Sequence, residues 1–485
     1  MISIRFFREI IMAIKVCYIG GGSRNWAWVL LQDLCFEKDI GGSVYLYDID
    51  HEAAYANELI GNALMHKHNK DQWIFKAEPD IAKALSGSDF VFISILPGDF
   101  EEMAVDVHAP ERYGIYQPVG DTVGPGGIIR AMRTIPQFQV IARSIKQYAP
   151  HAWVINYTNP MSICTRILYK EFPAIKAFGC CHEVFNTQKL LITVLEEHKL
   201  VPAGTVKREE IITRVLGINH FTWIDKASYK TMDIFPLYAD FVQRYAATGF
   251  ERTGAASDSV TSFGSGDHFD WKTDYFASAD RVKMDLFRRY GLIAAAGDRH
   301  LAEFCPHSWY LADPKQVKSW KFSLTPVSWR ISNRENLKAK SKAYRDGTAT
   351  LTPSRSGEEG IAILKALLGL GTIITNVNVP NRGQIPDLPI GAVVETNAVF
   401  SRDSIEPVFS DGLPVDLRAL IMHHLLIQEG IVEAASERDR EKAFRVFSHD
   451  YAIQALPLSD ARKLFDEMTE KTLKGCWDKE PEAVK

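Results

Sequence analysis

The sequence predicts an α/β fold: a doubly wound parallel sheet followed by a tightly packed α+β domain. Three observations predict it. Short apolar runs alternate with helix-length segments through the first 180 residues. The first run ends in a glycine turn that opens a helix. No linker or low-complexity tract then separates the halves. Strands alternating with helices need crossovers, and crossovers make neighbouring strands parallel. In order, Ile14–Ile19 reads as a strand ending at Gly20-Gly21-Gly22-Ser23, and Trp26–Phe36 as a helix. Val44–Tyr47 is a second strand, Ala53–Met65 a helix, and Asp89–Ile95 a third strand stopped by Pro97-Gly98. Ile135–Tyr148 is helical, Trp153–Tyr157 a strand stopped at Asn159-Pro160, Met161–Tyr169 a helix and Ala177–Gly179 a short strand. The pattern then loosens. Ile211–Leu216 and Phe221–Ile224 flank Gly217-Ile218-Asn219-His220, and helices are expected at Arg281–Tyr290, Glu358–Leu370 and Leu417–Ala434. The polar stretch 333–357 reads as a helix plus an exposed loop. The division follows: 1–13 an N-terminal extension, 14–200 a dinucleotide-binding domain, 201–485 an α+β domain for substrate, metal and oligomer contacts.

Composition narrows the function. The 485 residues carry a formal net charge of −4, with 46% hydrophobic and 24% charged residues. That balance fits a soluble globular chain and gives no electrostatic reason to expect nucleic acid or an anionic membrane. No stretch approaches the roughly 18 apolar residues of a membrane span. The apolar character of the N-terminus is broken by Arg8 and Glu9, and no small-residue cleavage site follows, so it is read as an extension and not a signal peptide. The seven cysteines are odd in number and dispersed, which points to a reducing cytoplasm over a disulfide framework.

The glycine turn carries the first chemistry. Gly20 and Gly22 permit a tight turn and close approach of backbone to a pyrophosphate. Ser23 follows them, and the helix N-terminus behind favours negative charge. Asn25 stands where a third glycine is usual. Asp48 ends the next strand, placed to accept from both ribose hydroxyls and to repel a 2′-phosphate, so NAD is expected over NADP. This is the Rossmann-like arrangement, similar to lactate and malate dehydrogenases. Two further segments, Gly179-Cys180-Cys181-His182-Glu183 and Gly217-Ile218-Asn219-His220, present a thiol and an imidazole at the ends of strands, where open sheets bind ligands. Cys181 and His220, completed by substrate oxygens, would make an open coordination sphere. By softness alone such a pair suits zinc or iron before manganese.

Taken together, YIGGGS, LYDID, GDTVGPGGIIRAMRTIP, NYTNPMSICT, GCCHE, GINHFTW, NVNVPNRGQIPDLP and AVVETNA resemble glycoside hydrolase family four over nearly the whole chain. That family is an exception to two-carboxylate glycoside hydrolysis. The resemblance implies NAD and Mn2+ or another divalent metal. It also implies hydride removal from C3 of an α-glycoside, loss of the C2 proton, elimination at C1, water addition and re-reduction. By position, Cys181 and His220 match the metal ligands, and Asn159 matches the substrate-binding Asn. Asn219 and Asp121 are further candidates for the sugar. His182, next to the metal Cys, is the candidate acid, since an imidazole donates a proton near neutral pH. The family's Tyr base does not align cleanly. Tyr275 is the nearest Tyr, with Asp298 and His300 as rivals.

Arg299, in the segment Gly297-Asp298-Arg299-His300, stands where the family's α-galactosidases have an acid. A cation there suits a C6 carboxylate, so the expected substrate is a uronide of the α-galacturonide type. The α-galactosidase, α-glucosidase and α-glucuronidase activities of the same family are alternatives. An NAD-dependent hydroxy-acid dehydrogenase on the same sheet would also fit, but would accumulate NADH. The resemblance further implies a homodimer or homotetramer.

Overall fold

The computed structural model describes residues 11–250 and 275–477. β1 (Met12–Ile19) sends Val16 and Tyr18 into one buried cluster and Cys17 and Ile19 into another. Successive strand residues face opposite ways, so a strand covered on both sides must be apolar throughout. Around it lie β2 (Ile40–Tyr47), β3 (Trp73–Ala77), β4 (Phe90–Ile93), β5 (Trp153–Asn156) and β6 (Lys176–Gly179). All pairs are parallel, in the order β3-β2-β1-β4-β5-β6. The order reverses between β1 and β4, which opens a crevice at their C-terminal ends. Helices Trp26–Leu34, His51–Lys67 and Gly360–Leu367 cover one face. Helices Gly124–Tyr148, Met161–Glu171, Val415–Glu437 and Leu458–Thr472 cover the other.

The second half does not form a sheet of its own. Its strands are β7 (Ile211–Ile218), β8 (Phe221–Tyr229), β9 (Met232–Asp233), β10 (Ile293–Ala294), β11 (Ile373–Pro380), β12 (Val393–Ser401) and β13 (Ser404–Pro407). They continue the parallel sheet antiparallel, in the order β6-β11-β12-β7-β8-β10. The junction pairs Asn378 with Gly179. A Cβ on Gly179 would stand 2.7 Å from Met161 Cγ and 3.1 Å from Asn378 Cβ, so only glycine lets β11 approach there. The Rossmann-like parallel half and its antiparallel extension thus share one sheet.

Several elements differ from the sequence reading. The helix expected from Ile135 begins at Gly124, because Pro125 opens its first turn and its remaining glycines are buried against the loop before it. β3 and the helix Glu183–Glu197 were not expected. Arg281–Tyr290 is helical as read. Among the described residues no helix is long and apolar enough to cross a membrane. The extension 1–13 falls largely outside the described residues, and β1 already begins at Met12.

Candidate functional site

The glycine turn closes the C-terminal end of β1. Gly20 has φ +96°, and a Cβ there would lie 2.0 Å from the Ser94 carbonyl oxygen. A Cβ on Gly22 would meet Ala53 Cβ at 2.8 Å and Asp48 Oδ2 at 2.9 Å. The Gly22 N–H donates to Asp48 Oδ2 (2.8 Å), and the Asp50 N–H donates to Asp48 Oδ1 (2.9 Å). Burial raises the Asp48 carboxyl above its ordinary value, against the pull of those two N–H groups. Ser23 Oγ accepts from the Trp26 N–H (3.1 Å) at the start of the following helix. Asn57 Nδ2 donates to the Gly21 and Ser23 carbonyls, and Trp28 Nε1 donates to Asn57 Oδ1. The turn is therefore rigid, with the Asp48 carboxylate at its rim and a helix N-terminus behind it.

A second constellation forms where the antiparallel strands join. Ligand atoms of Asp121, His220 and His300 lie within 4.8 Å of one another. Asp121 comes from the loop before helix Gly124–Tyr148. His220 occupies the turn between β7 and β8 with φ +63°, and His300 lies in the short helix Asp298–Glu303. The two imidazole rings stand 3.8 Å apart, inclined by 30°. Thr122 Oγ1 donates to Asp121 Oδ1 (2.7 Å) and lies 3.0 Å from His220 Nδ1. A hydroxyl has one proton, so His220 Nδ1 carries the hydrogen and Nε2 keeps its lone pair. Burial pushes the His220 imidazole down to about 3, helped by His300, so the ring is neutral, as a ligand must be. Burial alone would raise Asp121, but the Arg130 guanidinium, with the Thr122 hydroxyl, outweighs it and holds the carboxyl well below the usual range. Two imidazoles and an ionised carboxylate fit a divalent first-row cation with open positions.

The remaining polar groups converge on this cluster. Asn159 Nδ2 donates to Asp121 Oδ2 (3.3 Å), while Asn159 Oδ1 is buried without a partner. The Asn219 amide lies against the Cys181 thiol and the Glu395 carboxyl, at geometry too poor to satisfy either of its polar atoms. Burial, with Glu395 and Glu183, raises the Cys181 thiol well above its ordinary value. His182 lies between the two sites. Its ring is 6.0 Å from Trp26, on the helix behind the glycine turn, and its Nδ1 and Nε2 lie 3.4 Å from Glu358 Oε1 and 3.9 Å from Glu183 Oε1.

The model for family 4 glycosyl hydrolases matches residues 15–197, and the model for the family's C-terminal domain matches 215–453. The chain belongs to glycosyl hydrolase family 4. It is 54% identical over 455 residues to an alpha-galacturonidase of Thermoanaerobacter italicus, covering 94% of this chain and 95% of that one. A Bacillus subtilis crystal structure superposes with TM-score 0.87 at 48% identity, covering 94% and 100% of the two chains. A 6-phospho-alpha-glucosidase from gut microorganisms, solved with NAD and Mn2+, superposes with TM-score 0.77 at 20% identity, covering 94% and 98%, and shares the fold.

Within this family 4 framework the structure redistributes the expected site residues. His220 joins Asp121 and His300 in the cation cluster. Asp121 was expected at the sugar, His300 as a rival base, and Cys181 is outside this trio, beside Asn219. Neither base named first is brought to the cluster. Tyr275 is exposed and packs edge-on against Trp329. Asp298 is fully buried, and its two oxygens accept from the Val282 and Lys283 N–H groups at the start of helix Arg281–Tyr290. Both make structural contacts in the fold. Arg299 is 7% exposed and donates to the Pro118 carbonyl and Thr325 Oγ1, with Nε unpaired. The ion pair with Asp298 or Glu303 that would make it purely structural is absent among the described residues. Sequence reasoning missed Thr122, Glu183, Glu303 and Glu395. Thr122 and Glu183 sat beside named residues, which was the available signal. Glu395 was quoted inside a motif without a role, and Glu303 lies four residues after Arg299.

Proposed function

We propose that the chain hydrolyses the α-glycosidic bond of a galacturonide, using NAD and a divalent cation such as Mn2+. The observation that carries this reading is the cluster of Asp121, His220 and His300, with His182 near both Glu183 and Trp26 of the helix behind the glycine turn. One site would then hold a hydride acceptor and a Lewis acid together. The 54% identity to an alpha-galacturonidase over nearly full length supports the uronide. When bound, NAD supplies the hydride acceptor and the cation the positive charge that together acidify the sugar's C2 proton.

The chain's own groups have the following tasks. Gly20, Gly22 and Ser23 bring backbone close to the pyrophosphate, and Asp48 accepts from the ribose hydroxyls. Asp121, His220 and His300 would hold the cation, and Cys181 would add a thiolate to it. Asn159 and Asn219 turn unsatisfied amide atoms toward sugar hydroxyls. Arg299 faces the C6 carboxylate. His182, between Glu358 and Glu183, carries the proton for the leaving oxygen. Residues 14–200 hold the dinucleotide and 201–485 close over the sugar, in a cytoplasmic homodimer or homotetramer.

The test is turnover of α-galacturonides with NAD, Mn2+ and a thiol reductant. The reading requires release of galacturonate, no net NADH, and solvent deuterium at C2 of the product. Stoichiometric NADH would instead identify a dehydrogenase.

A further inference from the structure

We propose that Arg330 and Arg299 form a two-guanidinium clamp for the C6 carboxylate of the sugar, splinted by the ring of Phe276. The clamp rests on the uronide reading and names a specificity residue, Arg330, that no motif singled out.

The two arginines come from different elements. Arg299 lies in helix Asp298–Glu303, Arg330 in the first turn of helix Val327–Arg345. Both converge on one ring, with guanidinium carbons 5.0 Å (Arg299) and 5.7 Å (Arg330) from the Phe276 centroid. Attraction to the ring face holds each cation without neutralising either. Among the described residues Arg330 makes no hydrogen bond or ion pair, and Arg299 bonds only to a carbonyl and a hydroxyl.

Asp121 is shared with Arg130 and acts on both cations, and Glu183 acts on Arg299. Glu303 Oε1 is taken by the Val119 and Gly120 N–H groups, and among the described residues no carboxylate makes an ion pair with Arg299 or Arg330. A buried cation without a counter-charge is costly, and truncating or pairing it are the only remedies. Arg330 as a whole residue is half-buried. An incoming carboxylate, with two oxygens in one plane, matches two guanidinium forks. A neutral hydroxymethyl at C6 would leave both unpaired.

The test compares wild type with R330M, R330K and R299M on three substrates: an α-galacturonide, the matching α-galactoside and its 6-phosphate. NAD and Mn2+ are saturating, and NAD affinity and thermal midpoint serve as folding checks. Wild type should prefer the galacturonide. R330M should cut that preference over the galactoside on the order of 100-fold, the loss expected for a charge-assisted bond. R330K keeps the charge but not the fork, and should lose on the order of 10-fold, which also serves if R330M does not fold. Wild-type preference retained in R330M or R330K overturns the clamp and leaves the uronide reading standing. A wild-type enzyme that favours the galactoside or the 6-phosphate overturns the uronide reading, and the carboxylate clamp with it.

Discussion

Replacing Thr122 with valine removes a hydroxyl that the site uses twice. Its single proton goes to Asp121 Oδ1 at 2.7 Å, so it receives the His220 Nδ1–H at 3.0 Å. That fixes the tautomer that leaves His220 Nε2 free for a cation. Valine nearly matches threonine in shape but offers neither bond, and at 3% exposure the position gives little access to replacement water. His220 can then shift its proton to Nε2, which must be removed again before metal binds. Loss of an outer partner of this kind typically costs about 10–100-fold in metal affinity, or ~1.4–2.8 kcal/mol. Adding up the two bonds, one of them to a charged acceptor, gives about 2–4.5 kcal/mol as a gross limit, so the lower range is expected. Mn2+ titration by calorimetry, or by the electron paramagnetic resonance of free Mn2+, measures it. T122S should bind Mn2+ within a few-fold of wild type. A T122V affinity within twofold of wild type, or a T122S variant as weak as T122V, would refute the tautomer argument.

Three other outcomes follow from the same geometry. G22A places a methyl 2.8 Å from Ala53 Cβ and 2.9 Å from Asp48 Oδ2, and should destabilise by about 1–3 kcal/mol through overpacking. Its NAD affinity should also fall, on the order of 10-fold as Asp48 is displaced, and unchanged calorimetric binding would contradict the turn's assignment. Burial raises the Asp450 carboxyl to about 6, above its value in an unfolded chain, so unfolding releases a proton between about pH 4 and 6. Its contribution to stability is therefore fully present below about pH 4 and declines as pH rises to 6. D450N can still accept the Ala452 N–H but does not titrate, so relative to wild type it should gain stability from pH 4.5 to 7. Equal urea-midpoint differences at both pH values would rule this out. H300A should weaken Mn2+ binding at least 10-fold if His300 is a ligand. A lower kcat with unchanged Mn2+ affinity would instead return it to the role of base, and C181S titrated in parallel shows whether the thiolate shares the cation.

What the sequence made legible was what the chain builds locally. β1, the glycine turn and the helix behind it are contiguous, and Asp48 ends the next strand, so periodicity and turn chemistry suffice. His300 and Arg330 belong to the site only because distant elements meet. Nothing near His300 in the chain foretells a ring 3.8 Å from His220, and nothing near Arg330 foretells a shared Phe276. Tyr275 was named as base because it is the nearest phenol in sequence, and its contact with Trp329 is visible only in the fold.

The strands that went unread show why such failures cluster at function. β11 and β12 carry Asn376, Asn378, Glu395, Thr396 and Asn397, all buried, in runs that look like loop. A buried polar strand residue is tolerated only when a partner satisfies it. Asn376 donates to Glu395 Oε1 and to the Cys181 carbonyl, Thr222 donates to Glu395, and the Val215 N–H donates to Asn397 Oδ1. Those partners sit on β7, β8 and the Cys181 segment, so no local pattern can supply them. Glu395 also lies beside Asn219. The break in apolar alternation that hid β11 and β12 is thus a consequence of partners that only the folded sheet supplies.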